Sequence, residues 1–313
     1  MDPSKPDWER QALVELAGAG LKEQRKARRW GIFFKLLGFA YLLLVLVSVV
    51  GVKDVQFESI SEPHTALVDL NGVIAEGQSA SADNVVAGLR DAFESEMAAA
   101  VILRINSPGG SPVQSAYINN EITRLRTLYP SKPLYAVISD VCASGGYYVA
   151  VAADKIYANE SSIVGSIGVR MDGFGFVDTI KKLGVERRLL TAGEHKAVLD
   201  PFSRESDYEK AHVQNLLNEV HDEFIAAVKK GRADKLVDDP KLFSGLFWTG
   251  ERALTLGLVD ELGSAGYVAR EVIEVDNIID YTYKEDFFQK FANNLGSAIV
   301  NRLDTSMNGY SLK

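Results

Sequence analysis

The chain has one cysteine, Cys142, so it can form no internal disulfide framework. Histidine is nearly as scarce. The four histidines, His64, His195, His212 and His221, show no metal-ligand spacing such as HxxxH, and neither a metal nor another cofactor is expected. Positive charge is also short, with 34 basic residues against 42 acidic ones. Residues 1–52 hold 8 of the basic and 5 of the acidic side chains, so the remainder carries a net charge of −11. That balance argues against a nucleic-acid partner. Apolar residues are plentiful: 47% of the 313 residues are hydrophobic and 24% charged, the composition of a folded protein with one large domain or two small ones.

The longest apolar run lies near the N-terminus. Gly31 to Val52 is interrupted by charge only at Lys35. At about 1.5 Å per residue a helix of this length crosses a bilayer core, and Lys35 can snorkel back to the interface. Lys22, Arg25, Lys26, Arg28 and Arg29 precede the run, whereas Asp54, Glu58 and Glu62 follow it with Lys53. The positive-inside rule then places residues 1–30 in the cytoplasm as a tail, 31–52 in the membrane, and the rest outside. The long charged segment before the run and the lack of an A-x-A after it favour an uncleaved anchor over a signal peptide.

After a polar linker over 53–64, strand-like and helix-like patterns alternate in a folded domain over 65–276. Strands are expected at Thr65–Ile74, Ala99–Ile105, Leu134–Ile138, Lys155–Ala158 and Val185–Leu190. Helices are expected at Ala82–Met97, Val113–Leu128, Ser144–Ala153, Asp207–Arg232, Gly250–Thr255 and Ser264–Glu274. Ala99–Ile105 is wholly apolar apart from Arg104, as in a strand covered on both faces, and the alternation argues for a mostly parallel α/β sheet. In the extension over 277–313, Phe287, Phe288, Phe291, Leu295 and Ile299 fall at helical spacing and read as a packing face.

Three stretches follow strand ends, where open α/β sheets place their sites. In INSPGGS (Ile105–Ser111), paired glycines allow a tight turn with outward N–H groups. The plainer reading is a strand-to-helix turn, with Ser111 as N-cap and Pro112 at the first helical position. In ASGG (Ala143–Gly146), Ser144 is either an N-cap or a nucleophile beside backbone donors. In TAGEHKAVLDPFS (Thr191–Ser203), Lys196 is either a solvated charge or, as a desolvated neutral amine, a base. Only His195 among the histidines lies near one of these stretches, and no aspartate is evidently paired with it.

NSPGGS, SDVCASGGYYVAVAADKIYA, SIVGSIGV, TAGEHK and GLVDELG occur in this order. Together they resemble the signal peptide peptidase A family in its short bacterial form, over roughly Ala66 to Glu274. The resemblance implies a Clp-protease/crotonase-like fold of repeated ββα units over 65–276. It also implies a serine peptidase with Ser144 as nucleophile, Lys196 as general base, Ser166 orienting the lysine, and Gly110 and Gly145 as oxyanion donors. Its substrates would be remnant signal peptides, and its assembly a homo-oligomeric dome whose neighbouring subunits complete the sites. A broader quality-control protease, an acyl-CoA enzyme of the same fold and a non-catalytic membrane scaffold are the rival readings.

Overall fold

The computed structural model describes residues 8–51 and 62–284. It separates into two units, residues 1–61 and 62–313. Most of the expected linker and the face from Phe287 to Ile299 lie outside the described residues.

In the first unit a single helix, α1, runs from Trp8 to Gly51. Its apolar side chains stand in the open: Leu36 is 65% exposed and Phe39 68%. Among the described residues no helix is long and apolar enough to cross a membrane. The apolar run expected to do so ends beyond Val45, among side chains outside the description.

The second unit is built on an eight-stranded sheet. In chain order it comprises β1 (His64–Asn71), α2 (Ala82–Glu94), β2 (Ala98–Ser107), α3 (Pro112–Leu128), β3 (Leu134–Ala143), α4 (Gly145–Ala150), β4 (Lys155–Ala158), β5 (Ile163–Gly165), α5 (Val177–Lys182), α6 (Asp207–Arg232), β6 (Phe247–Thr249), α7 (Gly250–Thr255), β7 (Glu261–Leu262), α8 (Ala265–Tyr267) and β8 (Ile278–Asp280). Every pairing is parallel except β5 with β6. The core strands are buried on both faces, as their apolar runs demand: Val101, Ile102, Leu103 and Ile105 of β2 are fully buried. Each such side chain contributes about 1.5–3 kcal/mol on leaving water. Helix α2 starts where the Ser81 hydroxyl accepts the Asn84 N–H, and α3 where Ser111 accepts from Gln114 with Pro112 just inside.

The central strand changes partners along its length. Tyr135–Ile138 of β3 pair with β4, and Val141–Ala143 pair with β5. The register between β2 and β3 shifts in the same region, between Ile105 and Ser107. Thus β3 continues past the expected end at Ile138 and delivers its C-terminus to β5. The π-type turn Val268–Val272 follows α8 in place of one longer helix.

One expected strand is absent. Val185–Leu190 is irregular and exposed, within a stretch from Val169 to Ser206 whose only regular element is α5. Glu186, Arg187 and Arg188 interrupt its apolar residues, and Arg187 pairs instead with Asp200 within the same stretch.

Candidate active site

The C-terminal ends of β2, β3 and β5 meet at a cavity of about 950 Å³. Gly109, Gly110, Ser144, Gly145 and Ser166 all line it, with Ser115, Tyr148, His221 and Phe224. Four of the five residues expected from the sequence are therefore together. Lys196 is the exception: it is exposed on the irregular stretch after α5 and is not part of the cavity wall.

Ser144 occupies the N-cap position of α4, but its hydroxyl caps nothing. Ser81, Ser111, Ser206 and Thr249, at the same position of other helices, each accept a first-turn N–H. The backbone of Ser144 explains the difference. Its φ is +52°, a left-handed value unusual for a residue with a side chain, whereas the other four caps are extended. Two bonds hold that conformation: the Ser144 N–H donates to the Gly165 carbonyl at 2.8 Å, and its own carbonyl accepts from Tyr148 at 3.0 Å.

Ser166 repeats this geometry on the neighbouring strand. Ala143 and Gly165 are register partners, so the serine following each lies at the same level of the sheet. Ser166 also has a left-handed φ, +53°, and its N–H donates to the Leu246 carbonyl at 2.7 Å. Two left-handed serines at adjacent strand ends concentrate local strain at the cavity floor.

The two glycines expected to supply backbone donors are packed closely. A Cβ added to Gly145 would stand 2.4 Å from Ser115 Oγ and 3.3 Å from the Gly110 nitrogen, so the two backbone donors are neighbours. A Cβ on Gly109 would stand 2.6 Å from the Gly145 nitrogen and 2.8 Å from Ser144 Cβ. Glycine at 109 is what lets the two turns touch. The Gly109 N–H is taken by Ser107 Oγ at 3.1 Å, and its carbonyl by the Ile74 N–H at 2.9 Å. The turn is thus pinned on both sides, and the wall it forms leads into the start of α3.

The opposite wall is α6. Its N-terminus is a capping box: Ser206 accepts from Glu209, and the Glu209 carboxylate accepts from Ser206. Phe224 and Val228 are buried against the body, and the Phe224 ring lies 5.2 Å from Tyr148. Desolvation, with the nearby Glu223 carboxylate, holds the Tyr148 phenol above its usual range. Cys142, two residues before Ser144, is buried, and desolvation alone pushes its thiol far up, which makes it a packing residue.

The stretch bearing Lys196 has its own local order. Arg187 pairs with Asp200 and lies over the Phe202 ring, while Ser203 Oγ donates to Asp200 at 2.5 Å. The Ser203 bond and Arg187 hold the Asp200 carboxyl below the usual range. The His195 ring stacks on Tyr208 at 4.7 Å, tying the loop to the first turn of α6. His195 is thus no part of the cavity wall, whereas His221, for which no sequence motif suggests a role, belongs to it. Ser115 is among the residues that sequence reasoning missed. Ser107 and Gly109 lie within the SPGGS motif, but only contact distances separate what one glycine does from what the other does.

Residues 127–278 match the family model described as peptidase family S49. Over 207 residues the chain is 46% identical to the Na(+)/H(+) antiporter NhaA of Brucella abortus, covering 64% of this chain and 28% of that protein. It is 30% identical over 254 residues to the "Putative signal peptide peptidase SppA" of Enterococcus faecium, 78% of this chain and 73% of the relative. Protease 4 of Haemophilus influenzae is 34% identical over 226 residues, 71% of this chain and 36% of that protein. The chain therefore spans well under half of the Brucella and Haemophilus proteins.

Proposed function

The chain belongs to peptidase family S49, and on that premise we propose that it is a membrane-anchored serine endopeptidase working through a Ser-Lys dyad. The observation that carries this reading is the uncapped Ser144 hydroxyl beside the adjoining Gly110 and Gly145 backbones, in a cavity large enough for a peptide. The neutral Lys196 amine takes the Ser144 proton as the serine oxygen bonds to the scissile carbonyl carbon. The Gly110 and Gly145 N–H groups bind the oxyanion. The C–N bond then breaks, the leaving amine takes the proton from Lys196, and water hydrolyses the serine ester. Ser166 orients the amine.

Lys196 reaches a cavity on a neighbouring copy. Its own chain leaves it exposed on an arm rich in exposed apolar side chains, Phe174, Leu183 and Leu190 among them, which suits burial in an assembly. The reading therefore includes a homo-oligomeric dome with shared sites. The parallel sheet, with backbone donors at adjacent strand ends, supports a Clp-protease/crotonase kind of fold for the peptidase domain over 65–276. The exposed apolar side chains of α1 support an anchor over 31–52, with the tail over 1–30 cytoplasmic and the peptidase domain outside. Remnant signal peptides, apolar and left in the membrane, are the substrates this arrangement serves.

The test uses the detergent-solubilised full chain on casein and a fluorogenic peptide. Ser144→Ala and Lys196→Ala should each lose at least about 10³-fold in kcat at unchanged assembly size. Mixing the two inactive variants under conditions that exchange copies should restore part of the activity, since some sites then combine an intact serine with an intact lysine. Full activity in Ser144→Ala would end the nucleophile assignment, and no recovery on mixing would return Lys196 to its own chain's site.

A further inference from the structure

Helix α6 brings one polar ring to the cavity, that of His221. Its Nε2 lies 3.2 Å from the Ile167 carbonyl, 54 residues earlier in the chain, and donates to it. Ile167 immediately follows Ser166, and its carbonyl also accepts the Gly245 N–H at 3.1 Å. The turn Gly165–Ile167 is thus gripped at every residue. The Gly165 carbonyl takes the Ser144 N–H, the Ser166 N–H goes to Leu246, and the Ile167 carbonyl takes Gly245 and His221. The first three contacts are backbone to backbone, and His221 supplies a side-chain contact.

This turn needs holding. A serine at φ +53° stays there only while its surroundings over-determine it, because the conformation is strained for a residue with a side chain. Helix α6 is well placed to hold it, since Phe224 and Val228, one and two turns beyond His221, are buried and fix the rotation of the helix. The charged side chains sharing the cavity wall are Arg170 and Glu223.

We propose that His221 is a positioning residue: by holding the Ile167 carbonyl it fixes the Ser166 turn, and with it the hydroxyl that orients the lysine base. The proposal rests on the reading of Ser144, Ser166 and Lys196 given above. Two variants that keep bulk on α6 test it in the full-length assembly. His221→Gln retains an N–H donor, and His221→Leu does not.

Expected for His221→Leu is a fall in kcat of about tenfold with KM within twofold, and an ascending limb of the kcat/KM profile moved to higher pH. His221→Gln should keep kcat within about threefold and leave the limb in place. If the Leu variant does not assemble, His221→Asn, whose amide is too short for the carbonyl, replaces it. A Leu variant with the parent kcat and limb overturns the proposal. So does a Gln variant as impaired as Leu, since ring volume would then be what matters. Failure of the underlying reading shows separately: Lys196→Ala and Ser166→Ala would keep the parent profile, and the proposal would fall with it.

Discussion

In β2 the side chains of Ile102, Leu103 and Ile105 are fully buried. On the arm between Val169 and Ser206, Phe174 is 79% exposed, Leu183 72% and Leu190 96%. Both regions are rich in apolar residues and both belong to the same unit of the chain. The first has its partners inside the chain, where β1 and β3 flank β2 and α2 and α4 pack on it. The arm's own ties, Arg187–Asp200 and His195–Tyr208, run within it and to the start of α6. Apolar content alone therefore does not say where a residue is buried; the available edges and faces do. The exposed Leu183 and Leu190 of the arm suit the assembly proposed above.

Substituting glycine is the sharpest way to set the two regions apart. Gly109→Ala would put a methyl 2.6 Å from the Gly145 nitrogen and should cost about 10²–10³-fold in kcat, read by peptide cleavage at matched assembly size. Gly175→Ala on the arm meets nothing within 4 Å and should leave kcat unchanged in the same assay. Equal effects at the two positions would erase the distinction.

Next in size is the ion pair beneath the body. Arg232, 2% exposed, contacts both Asp260 oxygens, at 2.7 and 3.1 Å, and Lys235 joins at 2.7 Å. Desolvation works against the Asp260 carboxylate, but Arg232, Lys235 and the Ile156 N–H outweigh it and hold the carboxyl below its usual range. Asp260→Asn leaves a buried guanidinium uncompensated and should destabilise by about 3–5 kcal/mol in urea melts. Asp200→Asn, at the arm's own ion pair, should leave the urea midpoint in place.

Leu190→Asp should leave the thermal midpoint within about 2 °C while lowering the assembly mass seen by light scattering. An unchanged mass would take that residue out of any interface. The smallest effect belongs to the surface. Arg124 and Arg90 hold the Glu121 carboxyl down to about 2. Its contribution is therefore complete above its unfolded value of about 4.3 and fades as the pH falls toward 2. Glu121→Gln should lower stability by less than about 1 kcal/mol at neutral pH and flatten that acid limb in pH-dependent melts.

Much of the body was legible because its elements carry their own signals. The apolar runs of β2 and β3, the Ser111-Pro112 start of α3 and the apolar face of α6 are local, and the bounds Asp207–Arg232 and Lys155–Ala158 could be read directly. The strands β5, β6 and β8, each of three residues, are too short to show a period. Val185–Leu190 carried strand-like composition, but Arg187 within it pairs with Asp200 instead of lying in a sheet. At the site, ASGG and SPGGS were visible as motifs, whereas the left-handed backbones of Ser144 and Ser166 were not, since nothing in a serine's side chain announces a positive φ. His221 was invisible for another reason. On α6 it is one polar residue among several, and its partner lies 54 residues away.

The bond from the Ser144 amide to the Gly165 carbonyl ties the proposed nucleophile to two strands of the buried sheet. Solvent deuterium can reach that amide only when β3 and β5 separate, an opening close to global unfolding in free energy, whereas the arm's amides open locally. On the proposed mechanism, local melting of the arm that carries Lys196 should therefore abolish peptide cleavage before core protection is lost. A half-melted chain would be unable to cut its neighbours.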